Sequence, residues 1–438
     1  MMVFQLLLSL SILVLLHEGG HFLAAKLFKT RVEKFYLFFN PWFTPFKFKK
    51  GETEYGIGWI PLGGYVKISG MLDESFDKEQ LKGEIQPWEF RAKPAWQRLI
   101  IMLGGIIVNI LLGIFIYVML TYAFGISYIK NDSVKDGIYV DSLGYKLGLR
   151  DGDKILSLGG KNFEKFDVGK FTTTIILDDV KSIKVLREEK ETEIVLPTNA
   201  INMLTKAKDN FIFLPRNPFI IEQIEKNSIA EKTGFKKEDQ LLAVNGIPTF
   251  WDYEFRKKLK EFPEKKVEIK ILRNKKDTVL LSAVLGKDAK LGVSAYAADH
   301  YFNINTEKFS LLQSIPVGIK RSWDFISGQV RAFGKIFQGK IKATESVGSI
   351  ISMGKMFGDE WDPNKFWTLT GMLSLLLAFL NLLPIPGLDG GHAVFAIYEI
   401  VTGRKPSDKV VEIATTVGFI ILVALMIFAL GNDIRRLF

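Results

Sequence analysis

The sequence of 438 residues lacks cysteine altogether and has only four histidines. Without cysteine the protein can form no disulfide, thiolate metal site or cysteine nucleophile, so any metal must be held by histidine and carboxylate side chains. The formal net charge is +10, but the basic residues lie beside apolar segments, where phospholipid head groups are the nearest anions. We therefore expect a lipid bilayer around the chain and no nucleic acid partner.

Hydrophobic residues make up 48% of the sequence and are concentrated in four long apolar runs. A helix that crosses the hydrocarbon core of a bilayer needs about 20 such residues. The runs cover residues 3–28, 99–124, 366–383 and 413–430. No Lys or Arg precedes the first run, and cleavage after its small residues Ala24 and Ala25 would discard the histidines near its end, so we interpret it as a retained membrane helix and not as a signal peptide.

The loop between the first two runs, residues 29–98, contains about a dozen Lys and Arg residues. Because short basic loops stay on the cytoplasmic side of a membrane, this loop is predicted to be cytoplasmic. Residues 125–364 then lie on the opposite, external side.

A pattern of glycine, an apolar residue, an acidic region and a closing glycine occurs twice in the external stretch, at residues 147–160 and 232–246. Each copy precedes a segment, 182–197 or 266–281, whose alternation of apolar and polar residues is typical of half-buried strands. The arrangement resembles two tandem PDZ domains; the alternative is another pair of duplicated β-barrel modules. The predicted fold is an α-helical polytopic membrane protein with four transmembrane helices and two β-rich PDZ domains inserted between helices 2 and 3.

The predicted boundaries give five parts, of which the fourth is an amphipathic helical segment. Its aromatic residues alternate with cations at helical spacing, which suits a helix on the membrane surface or, equally well, a helix packed on the β-rich domains. The parts are an N-terminal membrane half (1–125), the first PDZ domain (126–205), the second PDZ domain (206–300), the amphipathic segment (301–362) and a C-terminal membrane half (363–438).

The strongest chemical signal is His17-Glu18-Gly19-Gly20-His21, in the second half of the first apolar run. Histidines four residues apart project from one face of a helix, so both imidazoles can reach one tetrahedral cation. Glu18 can then accept a proton from a water molecule that the metal activates, as in His-Glu-x-x-His metalloproteases. Ionisable groups inside an apolar span are costly, and their default interpretation is functional.

A zinc site of this kind needs a third protein ligand. Residues 381–392, Asn-Leu-Leu-Pro-Ile-Pro-Gly-Leu-Asp-Gly-Gly-His, break the third apolar run with two prolines and three glycines. Irregular backbone at membrane depth is tolerated only where it is buried in protein or lines a wet cavity. From the residues alone, Asp389 and His392 both remain candidates for the third ligand.

The early His-Glu-Gly-Gly-His helix and the late Asn-x-x-Pro-x-Pro-x-Leu-Asp-Gly-Gly segment together resemble the site-2 protease family of intramembrane zinc metalloproteases, in its bacterial RseP-like branch with two PDZ domains. The resemblance implies zinc on His17, His21 and Asp389, with Glu18 as the catalytic base and Asn381 in contact with substrate. It also implies cleavage of single-pass transmembrane proteins in the bacterial inner membrane, such as anti-sigma factors or signal peptide remnants, with external PDZ domains that filter shortened substrates.

Residues 56–67, rich in glycine and aromatic residues, fit the same family, in which a β-hairpin dips toward the active site. Gly63, Gly64 and Tyr65 are predicted to offer a strand edge to an unwound substrate, and an ordinary cytoplasmic hairpin is the alternative. Near the start of the second helix, Gly104, Gly105 and Asn109 are interpreted as structural, because small residues allow close helix contact.

Two other functions compete with an intramembrane protease. A prenyl-protein-type membrane protease shares His-Glu-x-x-His but takes its third ligand from a downstream Glu motif, and the 381–389 segment argues against it. A membrane scaffold with a vestigial metal site is disfavoured because every proposed catalytic group is intact.

Overall fold

The computed structural model describes residues 1–71, 84–206, 211–341 and 350–437, and the chain divides into two compact units. Met1–Gly125 and Lys308–Phe438 form one unit, called the helical unit below. Ile126–Glu307 forms the other, called the β-rich insert. The division into two PDZ domains within the insert remains a prediction.

The helical unit consists of long helices and one small sheet. Its helices, numbered along the whole chain, are α1 (Met2–Leu27), α2 (Ala95–Phe124), α9 (Leu311–Phe337), α10 (Ile350–Phe357), α11 (Pro363–Leu382), α12 (Asp389–Thr402) and α13 (Asp408–Leu437). Its strands are β1 (Val32–Phe39), β2 (Phe46–Lys50), β3 (Thr53–Ile57) and β4 (Ile60–Ile68).

Four helices in the described part of the chain are long and apolar enough to cross a membrane. They are Met2–Leu27, Ala95–Phe124, Pro363–Leu382 and Lys409–Ala429, and they overlap the four predicted runs. The described residues thus combine membrane-type helices with several β-sheets, as the sequence predicts.

Small and polar residues lie at several helix contacts in the helical unit, beside its three apolar clusters. Gly20 and Gly104 let α1 and α2 touch, since a Cβ atom added at Gly20 would lie 2.3 Å from the Gly104 carbonyl oxygen. Across α11, the Thr370 hydroxyl donates to Ser9 at 3.0 Å and the Ser374 hydroxyl donates to the Asn109 carbonyl oxygen at 2.7 Å. Such contacts are typical of helices that associate within lipid, where apolar side chains gain nothing by facing inward.

The small sheet has the strand order β2-β3-β1-β4, so β4 is an edge strand. β1 runs parallel to β3 and antiparallel to β4, and the pairing of β1 with β4 has two register breaks, the second of which follows the pair Leu37–Gly64 and contains Gly63. A Cβ atom at Gly64 would lie 2.7 Å from Val14 of α1 and 3.4 Å from the Cγ atom of Glu18. This glycine therefore brings the edge strand against the helix that carries the histidines.

The β-rich insert contains two hydrophobic cores, each with its own set of strands. Its strands are β5 (Ile126–Lys130), β6 (Ile138–Val140), β7 (Lys154–Leu158), β8 (Lys161–Asn162), β9 (Lys165–Phe166), β10 (Ser182–Arg187), β11 (Lys190–Val195), β12 (Phe213–Pro215), β13 (Ile221–Ile224), β14 (Gln240–Val244), β15 (Ile247–Pro248), β16 (Lys266–Arg273), β17 (Asp277–Val284), β18 (Val293–Ala295) and β19 (Ile304–Glu307). Its helices are α3 (Ser142–Lys146), α4 (Val168–Leu177), α5 (Ala200–Lys206), α6 (Ile229–Thr233), α7 (Asp252–Leu259) and α8 (Ala298–Tyr301).

The two halves of the insert repeat one sheet plan. The first contains a sheet of order β11-β10-β7-β8 and the second a sheet of order β15-β14-β16-β17. The first core extends to Phe213, past the predicted boundary at residue 205, because β12 pairs with β6. The second core contains Phe219, Ile269 and Leu291 among its members.

A buried ion pair occurs at the equivalent place in each half. Arg187 donates to both carboxylate oxygens of Asp153 at 2.8 Å, and Arg273 does the same to Asp239 at 2.9 and 2.7 Å. In both halves the arginine follows the aspartate by 34 residues and also donates to a glycine carbonyl, Gly148 or Gly234. The repeat seen in the sequence thus includes an arginine that the sequence pattern did not reveal.

The helix α9 packs on α2 and α11 with a face of small residues. Ser314, Gly318 and Ser322 are buried, and a Cβ atom at Gly318 would lie 2.5 Å from Val118. The opposite face is exposed and apolar, with Leu312, Ile315, Ile319, Trp323 and Phe337. This helix was predicted either to lie on the membrane surface or to pack on the β-rich domains, and in the structure it packs on the membrane-type helices α2 and α11.

Candidate metal centre

Three side chains that are far apart in sequence meet in the helical unit. The Nε2 atoms of His17 and His21 are 3.3 Å apart, and Asp389 Oδ2 lies 3.3 Å from the first and 3.2 Å from the second. Both histidines are buried and Asp389 is largely so. Within the described residues, these three form the one group of His and acidic side chains with the spacing of a metal site.

Local structure explains how each ligand atom arrives there. His17 and His21 stand one turn apart on α1, with their rings edge to face at a centroid distance of 4.9 Å. Asp389 is the first residue of α12, which begins after the Pro-Ile-Pro-Gly break that ends α11. Gly391 is needed at that break, because a Cβ atom there would lie 2.4 Å from the Ile385 carbonyl oxygen.

The three atoms fit a zinc ion. A tetrahedral zinc with metal–ligand distances of about 2.0–2.1 Å holds its ligand atoms about 3.3 Å apart, which matches all three edges of this triangle. Asp389 Oδ2 is buried and makes no hydrogen bond within the described structure, although two imidazole nitrogens lie beside it. A buried carboxylate oxygen without a hydrogen bond is costly, and a shared cation would compensate for it.

Residues of α2 contact the Nδ1 atom of each imidazole, on the side of the ring away from Asp389. His21 Nδ1 lies 2.8 Å from the Ile101 carbonyl oxygen, and since a carbonyl can only accept, the ring donates from Nδ1 and leaves Nε2 free to bind a metal. His17 Nδ1 lies 3.1 Å from the side-chain amide of Asn109, which is fully buried. Asn109 was predicted to be structural, and its polar side chain inside an apolar helix was the one sequence feature that could have indicated a contact with a histidine.

Glu18 lies beside the triangle, between α1 and the edge strand. It is half-buried, and its carboxylate accepts a hydrogen bond from the backbone N–H of Val66 in β4. It is not one of the three clustered ligand residues. A carboxylate next to a metal site but outside its ligand set is placed to move a proton.

Of the remaining predicted site residues, Asn381 and Gly64 lie beside the metal-site residues, whereas the contacts of Tyr65 are within the sheet. Asn381 Nδ2 lies 3.4 Å from His17 Nε2, so its amide reaches the same edge of the ring as Asp389. Gly63 and Gly64 lie in β4, where Gly64 borders Glu18. Tyr65 is held within the sheet, because its ring stacks on Tyr36 at 5.2 Å and its hydroxyl donates to Asn40 at 3.0 Å.

His392, the alternative third ligand, stands one turn beyond Asp389 on α12 and does not belong to the triangle. The geometry therefore brings the carboxylate, not this imidazole, to the two histidines.

Membrane-type helices and a buried His-His-Asp cluster with an adjacent glutamate define a membrane metalloprotease. The chain matches Peptidase family M50 over residues 5–425. Regulator of sigma E protease from Haemophilus influenzae is 28% identical over 448 residues, and Regulator of sigma-E protease RseP from Escherichia coli is 27% identical over 461 residues; each comparison covers 98% of both chains. A Rickettsia conorii protein that carries a zinc metalloprotease name is 29% identical over 432 residues, covering 99% of this chain and 98% of that protein.

The chain therefore belongs to peptidase family M50, the site-2 proteases. The resemblance drawn from its two motifs is confirmed, and the protein is a metalloendopeptidase.

Proposed function

We propose that this protein is a zinc-dependent endopeptidase of the bacterial inner membrane that cleaves single-pass transmembrane proteins, including anti-sigma factor substrates and signal peptide remnants. The observation that supports it most is the convergence of His17, His21 and Asp389 at one point between membrane-type helices. The names of the relatives from Haemophilus influenzae and Escherichia coli support a role in sigma E regulation.

His17, His21 and Asp389 would hold a zinc ion, which would supply the Lewis acidity that peptide hydrolysis by water needs at neutral pH. Glu18 accepts the proton from the attacking water and returns it to the leaving amine. Its hydrogen bond from Val66 fixes the carboxylate beside the edge strand while its other lone pairs remain available.

The edge strand β4 is the proposed platform for substrate. A substrate helix has to unwind before cleavage, because its amides are already hydrogen-bonded and shielded. Because β4 stands last in the strand order of the described sheet, an unwound segment can pair with it near Gly63, Gly64 and Tyr65, which gives main-chain hydrogen bonds without side-chain specificity. The amide of Asn381, at the same edge of the His17 ring as Asp389, is placed to hold the substrate backbone.

The proposed orientation has the insert on the external side of the membrane, as two PDZ domains that filter shortened substrates. The basic loop between the first two apolar runs supports this topology. The exposed apolar face of α9, with Trp323 and Phe337, is suited to the external surface of the inner membrane, because aromatic residues are favoured at the interface between lipid and water.

The decisive experiment compares Glu18→Gln with the native protein in cleavage of a single-pass reporter in vesicles. We expect zinc content to remain at one ion per chain and the cleavage rate to fall by about 10²–10⁴-fold, the usual contribution of a general base. Glu193→Gln, an exposed change in the insert, is the matched control and should cleave at the native rate. Cleavage at the native rate by Glu18→Gln would contradict the role of Glu18 as the general base, and absence of cleavage by the native protein would favour the scaffold.

A further inference from the structure

The residues of α2 that face the two histidines are spaced four apart. They are Ile101, Gly105 and Asn109, and residues at this spacing lie along one face of a helix. A Cβ atom at Gly105 would lie 2.4 Å from His21 Nε2 and 2.6 Å from His17 Cε1, so both rings lie against the bare backbone there. The two polar groups of the stripe, above and below that glycine, each reach one imidazole.

The two imidazoles meet different kinds of partner. The Ile101 carbonyl can only accept, which gives the His21 ring a single tautomer. The Asn109 amide can donate through Nδ2 or accept through Oδ1. In the structure Nδ2 lies 3.1 Å from His17 Nδ1, while Oδ1 is buried and without a hydrogen-bond partner within the described residues.

A half-turn of this amide exchanges its nitrogen and oxygen, so that Oδ1 faces His17 and Nδ2 takes the position at which Oδ1 has no hydrogen-bond partner within the described residues. A neutral His17 that presents Nε2 to a cation carries its proton on Nδ1, and that proton needs an acceptor. After the half-turn, Oδ1 takes the place 3.1 Å from Nδ1 and accepts it. The polar atom that was left without a partner thereby gains a hydrogen bond.

The backbone of Asn109 is fixed independently of its side chain. Asn109 lies in the middle of the 30-residue helix α2 and is 0% exposed, so the helix and its packing hold the backbone whether or not the Ser374 hydroxyl donates to the Asn109 carbonyl oxygen. The amide therefore acts on His17 from a rigid position, which is what the orientation of a metal ligand requires.

We infer that Asn109 is a positioning residue for the metal site: its side-chain oxygen accepts the Nδ1 proton of His17 and so holds the Nε2 lone pair toward the cation. With the Ile101 carbonyl on His21, α2 sets the tautomer and rotation of both histidines. This inference rests on the proposed zinc site.

The test measures zinc affinity of the purified full-length protein in detergent by competition with a chromophoric chelator. Asn109→Leu keeps the size of the side chain and removes the hydrogen bond, and we expect it to bind zinc about 10–100-fold more weakly. Asn109→Asp keeps an acceptor at the same place and should bind zinc at least as tightly as the native protein. Ser374→Ala, which removes the neighbouring contact on the Asn109 backbone, is the matched control for packing and should leave affinity within about twofold of native.

A spectroscopic readout separates positioning from general loosening. With Co²⁺ in place of zinc, Asn109→Leu should shift the visible absorption bands, since one imidazole has lost its orientation, while Ser374→Ala should leave them unchanged. If Asn109→Leu does not fold, Asn109→Ala removes the same amide without added bulk and gives the same comparison.

Native zinc affinity and native Co²⁺ bands in Asn109→Leu or Asn109→Ala would overturn the inference. So would equal weakening in Asn109→Leu, Asn109→Asp and Ser374→Ala, since that pattern describes packing alone. Failure of the proposed function looks different: the native protein itself would bind no zinc, or zinc binding would survive without His17.

Discussion

Buried carboxylates in the two units differ in how many hydrogen bonds they accept. In the insert, Asp153 and Asp239 are 0% and 1% exposed, and each receives two hydrogen bonds from an arginine and one from a backbone N–H. In the helical unit, Asp389 places an oxygen without any hydrogen bond between two imidazole nitrogens. A carboxylate whose lone pairs are satisfied supports the fold, whereas a buried one that lacks hydrogen bonds is a candidate for binding a ligand.

The two units also differ in which residues they bury. The insert has two large apolar cores, while the helical unit has three smaller apolar clusters and also buries Ser9, Asn109, Thr370 and Ser374. The difference follows from the surroundings, because water drives apolar side chains inward and lipid does not. Four predictions test this contrast.

The largest effect is expected when the unsatisfied carboxylate is removed. Asp389→Ala takes away one of three ligands, so zinc should fall to background and cleavage of a membrane reporter should become undetectable. Metal analysis of the purified protein and the vesicle assay check this. Asp288→Ala, an exposed aspartate in the insert, should retain both. Stoichiometric zinc in Asp389→Ala would remove this residue from the ligand set.

A smaller effect, on stability and not on chemistry, is expected for the satisfied carboxylate. Asp239→Ala leaves Arg273 without its partner and should lower the free energy of unfolding of the insert by about 3 kcal/mol. Hydrogen exchange of insert amides measures this, with Asp288→Asn as the control, expected within about 0.5 kcal/mol of native. Zinc content should not change. A loss of zinc in Asp239→Ala would contradict this prediction, because it would show that the hydrogen-bonded carboxylate of the insert also affects the metal site.

The next largest effect, on zinc affinity, is expected at Gly105 of α2, which lies against both imidazole rings. Gly105→Ala places a methyl group where both imidazoles lie, so the rings must move and zinc affinity should drop toward the upper end of about 10–100-fold. Chelator competition provides the measurement. Gly19→Ala, on the same helix as the histidines but with nothing within 4 Å of an added Cβ atom, should bind zinc normally.

The smallest effect concerns Glu54, a partly exposed carboxylate in the sheet of the helical unit. The Tyr36 hydroxyl donates to it at 2.6 Å, and this hydrogen bond lowers the pKa of Glu54. A lowered pKa contributes stability above the ordinary value of about 4.3 that is lost as the pH falls through the lowered value.

Tyr36→Phe should therefore reduce Tm by at most about 2 °C at pH 6, and the difference should shrink below about pH 4. Thermal unfolding in detergent across this range checks the sign. A difference that grows in acid would contradict it.

Motifs with local geometry were predictable from sequence. The i, i+4 spacing of His17 and His21 requires only a helix, and the four apolar runs require only length and composition. The repeat of the insert was also visible, because glycines and aspartates at turns recur in order. Its arginines were not, since each lies 34 residues from its aspartate and pairs only when the strands come together.

Neighbouring residues alone predict four apolar runs long enough to cross a membrane, two histidines on one helix face, and a Pro-Gly break in the third run. Only the tertiary structure decided that Asp389 and not His392 completes the triangle, and that Asn109 contacts a histidine. Those outcomes depend on how α1, α2 and α12 pack, and packing brings together atoms whose sequence separation, 92 residues for Asn109 and His17, carries no local signal.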